Sequence, residues 1–264
     1  MSLTWIHLLE LLLVGAAAGT LGSMTGIGGG LIVTPVLTLG FGVPIHQAIA
    51  TSLCCVIATS SGAAARYVEH HLTDIRLGMT LELATTVGAI TGSIVAGFLS
   101  REALAVLFAV LLTYAGSTMV RRVFKKQIED PVAGEGYQVR HLPLGLMGAG
   151  AAGTISGMLG VGGGVIKVPL MYLVMGIPFK VATATSNFMI GVTAAASAFI
   201  YYARGDVRSL ITAPTALGVF VGASVGAHWM RRTPSRWLVT LFAGIVFYFA
   251  ALMIWKALHG GFAR

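Results

Sequence analysis

Apolar residues run along this chain in ten stretches, at about 5–23, 29–41, 46–66, 77–99, 103–120, 143–159, 164–176, 181–203, 209–229 and 237–257. An α-helix needs about 20 apolar residues to cross the hydrocarbon core of a bilayer, and most of the stretches approach that length. Two of them, 29–41 and 164–176, are too short to cross at about 1.5 Å per residue. The alternating segments of about 10 residues that mark a membrane β-barrel do not occur. The pattern predicts an all-α integral membrane protein with two short, broken or re-entrant helices near the midplane.

Composition narrows the picture. The chain has 264 residues, 56% hydrophobic and 10% charged, with a mean hydropathy of +0.87. Soluble domains carry about 25% charged residues, so a soluble enzyme, a disordered tail and a disulfide scaffold are excluded. The net charge of +8 does not point to nucleic acid. Its Lys and Arg gather in loops, Arg121, Arg122, Lys125, Lys126 and Arg140 in one and Arg231, Arg232 and Arg236 in another, as in a protein whose basic loops stay cytoplasmic. The one long polar segment, 121–141, reads as a cytoplasmic linker between an N-terminal half, 1–120, and a C-terminal half, 142–264. Cys54 and Cys55 are neighbours on a helix and diverge, which predicts free thiols.

The chain repeats itself. Residues 19–53 align without gaps onto residues 153–187, with sixteen of 35 positions identical. Ordinary composition gives about one identity in fifteen. Asp74-Ile75 then matches Asp206-Val207, and Gly88/Gly92 matches Gly218/Gly222, with small gaps. The reading is two homologous halves of four to five helical elements each. The first run precedes Ala16-Ala17-Ala18 and imitates a secretory signal. It lacks a basic start and has an internal counterpart at 143–157, so it is expected to be retained. If the short segments cross, each half has five spans and the second is inverted. If they re-enter, each half has four and the halves are parallel. The basic loops fit both arrangements equally. Inverted halves are favoured, because broken anion-binding helices usually come that way.

The chemistry centres on the repeat. Gly26-x-Gly28-Gly29-Gly30 and Gly160-x-Gly162-Gly163-Gly164 precede the two short segments. A glycine run breaks a helix, lets backbone approach a ligand, and frees N–H groups at the next helix start. Such starts attract anions. Two breaks facing one another would make a small-anion site from the backbones of Gly28, Gly29, Gly30, Gly162, Gly163 and Gly164. Lys167 follows the second run inside an apolar segment, where Val33 stands in the first half. A mid-span Lys costs about 2.5–3.5 kcal/mol to insert, so it is a candidate anion contact, or else snorkels or pairs with an acid. Glu82 is a candidate proton carrier or partner for Lys167; Glu10 is a weaker one. The matching Thr51-Ser52 and Thr185-Ser186-Asn187 either complete an oxyanion site or bond local carbonyls.

Other features read as structural. Gly22/Gly26/Gly30, Gly88/Gly92 and Gly218/Gly222/Gly226 have the spacing that lets helices touch. Pro35, Pro169, Pro44 and Pro178 mark kinks and turns. No Gly-Lys-Ser/Thr follows either glycine run, which removes a phosphate-binding loop. No histidine spacing suits a metal, no Ser/His/Asp spacing suits hydrolysis, and no cofactor is called for.

The duplicated blocks GIGGGLIVTPVL and GVGGGVIKVPLMYL, each followed by AxATS, resemble the sulfite exporter TauE/SafE family of bacterial and archaeal membrane permeases. The resemblance runs from about residue 8 to 258. It implies a multi-pass inner-membrane protein that moves sulfite, organosulfonates or related organic acids, and no residue-level mechanism comes with it. The expected function is therefore a secondary anion transporter, one half or bundle rocking against the other. Its expected partners are a small anionic substrate, the lipid bilayer and a second copy in a homodimer. The rival reading is a membrane-embedded accessory or assembly factor without transport.

Overall fold

The computed structural model describes residues 5–124, 137–230 and 235–258. Among them every regular element is a helix: α1 (Trp5–Thr25), α2 (Gly30–Gly40), α3 (Ile45–Glu69), α4 (Ile75–Ala96), α5 (Arg101–Phe124), α6 (Leu142–Leu159), α7 (Gly164–Val174), α8 (Phe179–Ala203), α9 (Ser209–Met230) and α10 (Ser235–Leu258). Seven of these are long and apolar enough to span a bilayer. Side chains such as Trp5, Leu83, Phe98, Phe199 and Trp255 face outward on the surface that meets lipid. The protein is a multi-pass, all-helical membrane protein. The basic loop residues Arg121, Arg122, Lys125, Lys126, Arg231, Arg232 and Arg236 and most of the 121–141 linker lie outside the described side chains.

Both short segments are single helices with a change of pitch. α2 is α-helical over Gly30–Pro35 and π-helical over Val36–Gly40; α7 is α-helical over Gly164–Pro169 and π-helical over Leu170–Val174. The junction falls at Pro35 and Pro169, because proline lacks an N–H and clashes with the carbonyl one turn back. Pro44 and Pro178, extended at ψ 139° and 140°, then start α3 and α8.

Glycines mark where the helices come closest. Gly15 and Gly19 of α1 lie against the backbone of Thr215 and Val219, and Gly218 and Gly222 of α9 lie against Leu12 and Ala16. Gly88 and Gly92 of α4 pack in the same way on Gly150 and Thr154 of α6. At each of these positions an added Cβ would collide with a carbonyl of the partner helix. The first helix of each half thus packs on the fourth helix of the other: α1 on α9, and α6 on α4. α3 and α8 pack on one another at the centre, and α5 and α10 form a peripheral pair.

This changes one expectation. The sequence halves interlock and do not form two bodies side by side. Rocking one half against the other would tear both glycine-lined contacts apart. Any moving unit has to draw helices from both halves. Cys54 and Cys55 are free, with Cys55 buried and Cys54 partly so.

Candidate functional site

The two glycine breaks meet face to face between α3 and α8. α1 ends at Thr25 and the chain turns at Gly26, with φ +74°; α6 ends at Leu159 and turns at Gly160, with φ +72°. An added Cβ at Gly30 would lie 2.6 Å from the Gly160 carbonyl oxygen, and one at Gly164 would lie 2.7 Å from Ile27 Cα. Only glycine lets these backbones come so close.

The hydroxyl residues brace the loops across the halves. Ser52 Oγ donates to the Gly160 carbonyl at 2.6 Å, and Ser186 Oγ donates to the Gly26 carbonyl at 2.7 Å. Thr51 shares a hydrogen bond with Thr212 of α9 at 3.0 Å, and Thr185 accepts from the Asp74 N–H at 3.0 Å, just before α4. Asn187 Nδ2 donates to the carbonyls of Ser23 and Thr183 at 3.0 and 3.1 Å. Tyr67 and Tyr201 also match, donating to the carbonyls of Ser23 and Gly157.

The two loops differ in how their N–H groups are used. In the first, the amides of Ile27 and Gly28 both donate to Gly22 O, at 3.2 and 3.3 Å, and the amide of Gly29 donates to Thr59 Oγ1 at 3.3 Å. In the second, no hydrogen bond among the described residues takes up the amides of Gly162, Gly163, Gly164 or Val165, and all four residues are buried. The backbone differs at one matched position: Gly29 has φ −66°, whereas Gly163 is left-handed at φ +77°.

Gly22 and its counterpart Ser156 account for the difference. A Cβ at Gly22 would lie 2.5 Å from the carbonyl carbon of Gly28 and would run into the Gly29 nitrogen, so the first loop folds onto α1 only because residue 22 has no side chain. Ser156 carries that Cβ, and the second loop takes another path, although its Gly163 lies as near the Ala152 carbonyl (3.2 Å from the Cβ position) as Gly29 lies to that of Ala18 (3.3 Å). The Cβ position of Gly163 is then 3.4 Å from Ser156 Cβ and 2.9 Å from Lys167 Cε. Ser156 is 1% exposed, and its Oγ has no partner among the described residues. Consecutive free amides with left-handed glycines form a concave nest suited to an anion.

Lys167 is wholly buried and pairs with an acid. Its Nζ lies 3.5 Å from Glu82 Oε2 and donates to Thr193 Oγ1 at 2.9 Å. Thr193 Oγ1 donates on to Glu82 Oε1 at 2.6 Å, and the hydroxyls of Thr85 and Thr86 reach the same carboxylate at 2.9 and 3.1 Å. Of the alternatives for Lys167, pairing with Glu82 is the arrangement present. Its Cε lies 2.9 Å from the Cβ position of Gly163, which brings the stem against the second loop.

Sequence reasoning missed Ser156, Thr85, Thr86 and Thr193. Each left a signal: Ser156 breaks the repeat where Gly22 stands, Thr193 matches Thr59, and Thr85 and Thr86 lie three and four residues past Glu82 on one helix face. Glu10 is exposed on α1, apart from this cluster. Among the described residues no three His, Cys, Asp or Glu side chains come together to hold a metal ion.

Comparison with known proteins agrees with this architecture. The chain is 25% identical over 94% of its length to the probable membrane transporter protein YunE of Bacillus subtilis, covering 97% of that protein. It is 28% identical to the probable membrane transporter protein YdhB of the same organism, covering 86% of this chain and 90% of that one. The probable membrane transporter protein MJ0441 of Methanocaldococcus jannaschii is 30% identical over 69% of this chain and 68% of its own. No solved structure matches. Residues 11–253, nearly the whole chain with both glycine loops and Lys167, match the sulfite exporter TauE/SafE family, and the protein belongs to that family of membrane transporters.

Proposed function

We propose that this protein is a secondary transporter that carries small sulfur-containing anions, sulfite or organosulfonates, outward across the inner membrane, and that the anion binds in the second glycine loop. One observation carries the reading: four consecutive buried amides, Gly162 to Val165, have no acceptor, beside Lys167 and the unpartnered Ser156 hydroxyl. A buried donor left unpaired costs about 1–3 kcal/mol, and the amides of Gly162 and Gly163, whose counterparts Gly28 and Gly29 are taken up within the protein, would gain acceptors from a ligand. A sulfite or sulfonate group supplies them, with negative charge for the ammonium.

In this reading the candidate residues divide by role. Gly162, Gly163, Gly164 and Lys167 contact the anion. Ser52 and Ser186 hold the two loops against each other, Thr51 and Thr185 tie them to α9 and α4, and Asn187 fastens the end of α1. Gly28, Gly29 and Gly30 form the wall opposite the nest. Substrate entry then requires helices to part, because the loop and Lys167 are sealed from the surface. The peripheral α5–α10 pair, which also touches α2 and α7, is the natural unit to move.

The test is flux in proteoliposomes loaded with radiolabelled sulfite, sulfate, sulfoacetate, taurine or a carboxylate. Wild type should move one or more of the sulfur anions, and Lys167→Ala should lose that movement while still inserting and folding. Unchanged flux in the variant would remove Lys167 from the site, and folded protein that moves none of these anions would end the reading.

A further inference from the structure

We infer that the Glu82 carboxylate is the resident counter-ion of the anion site, and that each anion binds with the uptake of one proton by Glu82. This rests on the proposed anion site and adds its coupling. The observation is the geometry of the pair. Lys167 is the cation at the nest, and in this structure its charge is already matched by Glu82 at 3.5 Å through Oε2 and through the bridging Thr193. A second negative charge arriving at the same ammonium would stand beside the carboxylate in a buried place, where like charges repel strongly.

Protonation removes the conflict. A proton taken from water onto Glu82 leaves a neutral carboxylic acid, which keeps its hydrogen bonds with Thr85, Thr86 and Thr193. Lys167 stays an ammonium and turns its charge to the anion. The site is neutral before, as ammonium and carboxylate. It is neutral after, as ammonium, carboxylic acid and a monovalent anion. When the anion leaves, Glu82 returns its proton to water and pairs with Lys167 again. No oxidant, metal or further reactant is needed.

The surroundings fit Glu82 as the titrating member. Its side chain is 12% exposed against 1% for Lys167, so the carboxylate is the more accessible member of the pair. α6, which packs along α4, contains no ionisable side chain. α8 brings Lys180 in its first turn and Tyr201 and Tyr202 in its last two, all two turns or more from Thr193. α4 itself adds Arg76, and Asp74 caps its start. α5, which touches α7, has Arg101 and Glu102 in its first turn. Lys167 is thus the one charge in contact with the carboxylate among the described residues.

The first glycine loop has no equivalent of this device, although Glu82, Thr85 and Thr86 themselves come from the first half. Val33 stands in place of Lys167, α9 contains no acid, and Thr59, the match of Thr193, is occupied by the Gly29 amide. One nest therefore gives one anion and one proton per cycle.

The experiment measures anion and proton movement together in proteoliposomes holding a pH dye, with sulfite, sulfoacetate and methanesulfonate as probes and protein-free vesicles as the leak control. Methanesulfonate is monovalent and has no titrating group near neutrality. The inference predicts one proton moving with each anion, and a methanesulfonate flux that an imposed voltage does not change. In Glu82→Gln, which is permanently neutral, flux should persist without proton movement, become voltage-driven and lose its pH dependence. Anion flux in wild type with no accompanying proton would overturn the coupling and leave the transporter reading standing; this needs no variant to fold. A Glu82→Gln protein that still moves one proton per anion would also overturn it. Absence of flux for every probe in folded wild type would overturn the transporter reading and the coupling with it.

Discussion

The two glycine loops come from nearly the same sequence and end in different states. The loop at Gly26–Gly30 is partly closed: Gly22 O takes two of its amides and Thr59 takes a third, while among the described residues Gly30 and Leu31 keep theirs free, as Gly164 and Val165 do. The loop at Gly160–Gly164 stays open, with four buried amides free and Gly163 turned to the left-handed region. Among the positions that differ, Ser156 stands in place of Gly22 and Lys167 in place of Val33. The difference is what the proposed single site rests on. In the proposed reading one copy of the motif forms the wall, and the other, with Ser156 and Lys167, is the receptor for an anion.

The comparison is broken most severely by filling the space between the loops. Gly164→Ala puts a methyl group against the Gly26 carbonyl and Ile27. Overpacking of backbone on backbone should cost about 3 kcal/mol or more, read as a large loss of thermal stability in detergent. Lys167→Ala comes next and acts on one loop only. It should weaken anion binding about 100-fold, roughly 2.7 kcal/mol, whereas Val33→Ala should leave affinity within about twofold. Equilibrium binding of a radiolabelled anion to the two variants reads this contrast, and equal losses would mean that the loops share the ligand.

Smaller effects test what the halves have in common. Ser52→Ala and Ser186→Ala each leave a buried carbonyl without its donor and should each cost about 1–2 kcal/mol of stability. Near-equal shifts in unfolding temperature are expected, since the two bonds are counterparts. A large shift in one alone would show that the bracing is lopsided. Ser156→Gly is the mildest and the sharpest. It removes the Cβ that holds the second loop open, so affinity should fall about tenfold, about 1.4 kcal/mol, as the free amides close onto α6.

Much of the architecture was legible in the sequence because lipid leaves few options. Backbone polar groups in hydrocarbon must pair within a helix, so the long apolar runs could only be helices, and they begin and end within a few residues of the expected positions. The short segments were legible from length alone, and the spaced glycines from the close contacts that Gly88, Gly92, Gly218 and Gly222 make. The pairing of those contacts was not. A glycine face says that a helix will touch another, not which one, and the exchange of α1 and α6 between halves follows from long-range fit. At the site, the glycine runs and Lys167 stood out because each is costly in a membrane. The roles of Ser52 and Ser186 did not, since a hydroxyl suits a carbonyl and an anion equally well. Ser156 was hidden as a substitution in a repeat whose identities drew attention instead.

The central claim is that the anion sits in the second loop and not in the first. Selenite is the heavier analogue of sulfite, and its selenium scatters anomalously. Crystals of the wild-type protein soaked in selenite should give one anomalous peak within hydrogen-bond reach of the amides of Gly162 to Val165 and near Lys167 Nζ. A peak at Gly28–Gly30, peaks of equal height at both loops, or none at either would contradict the account.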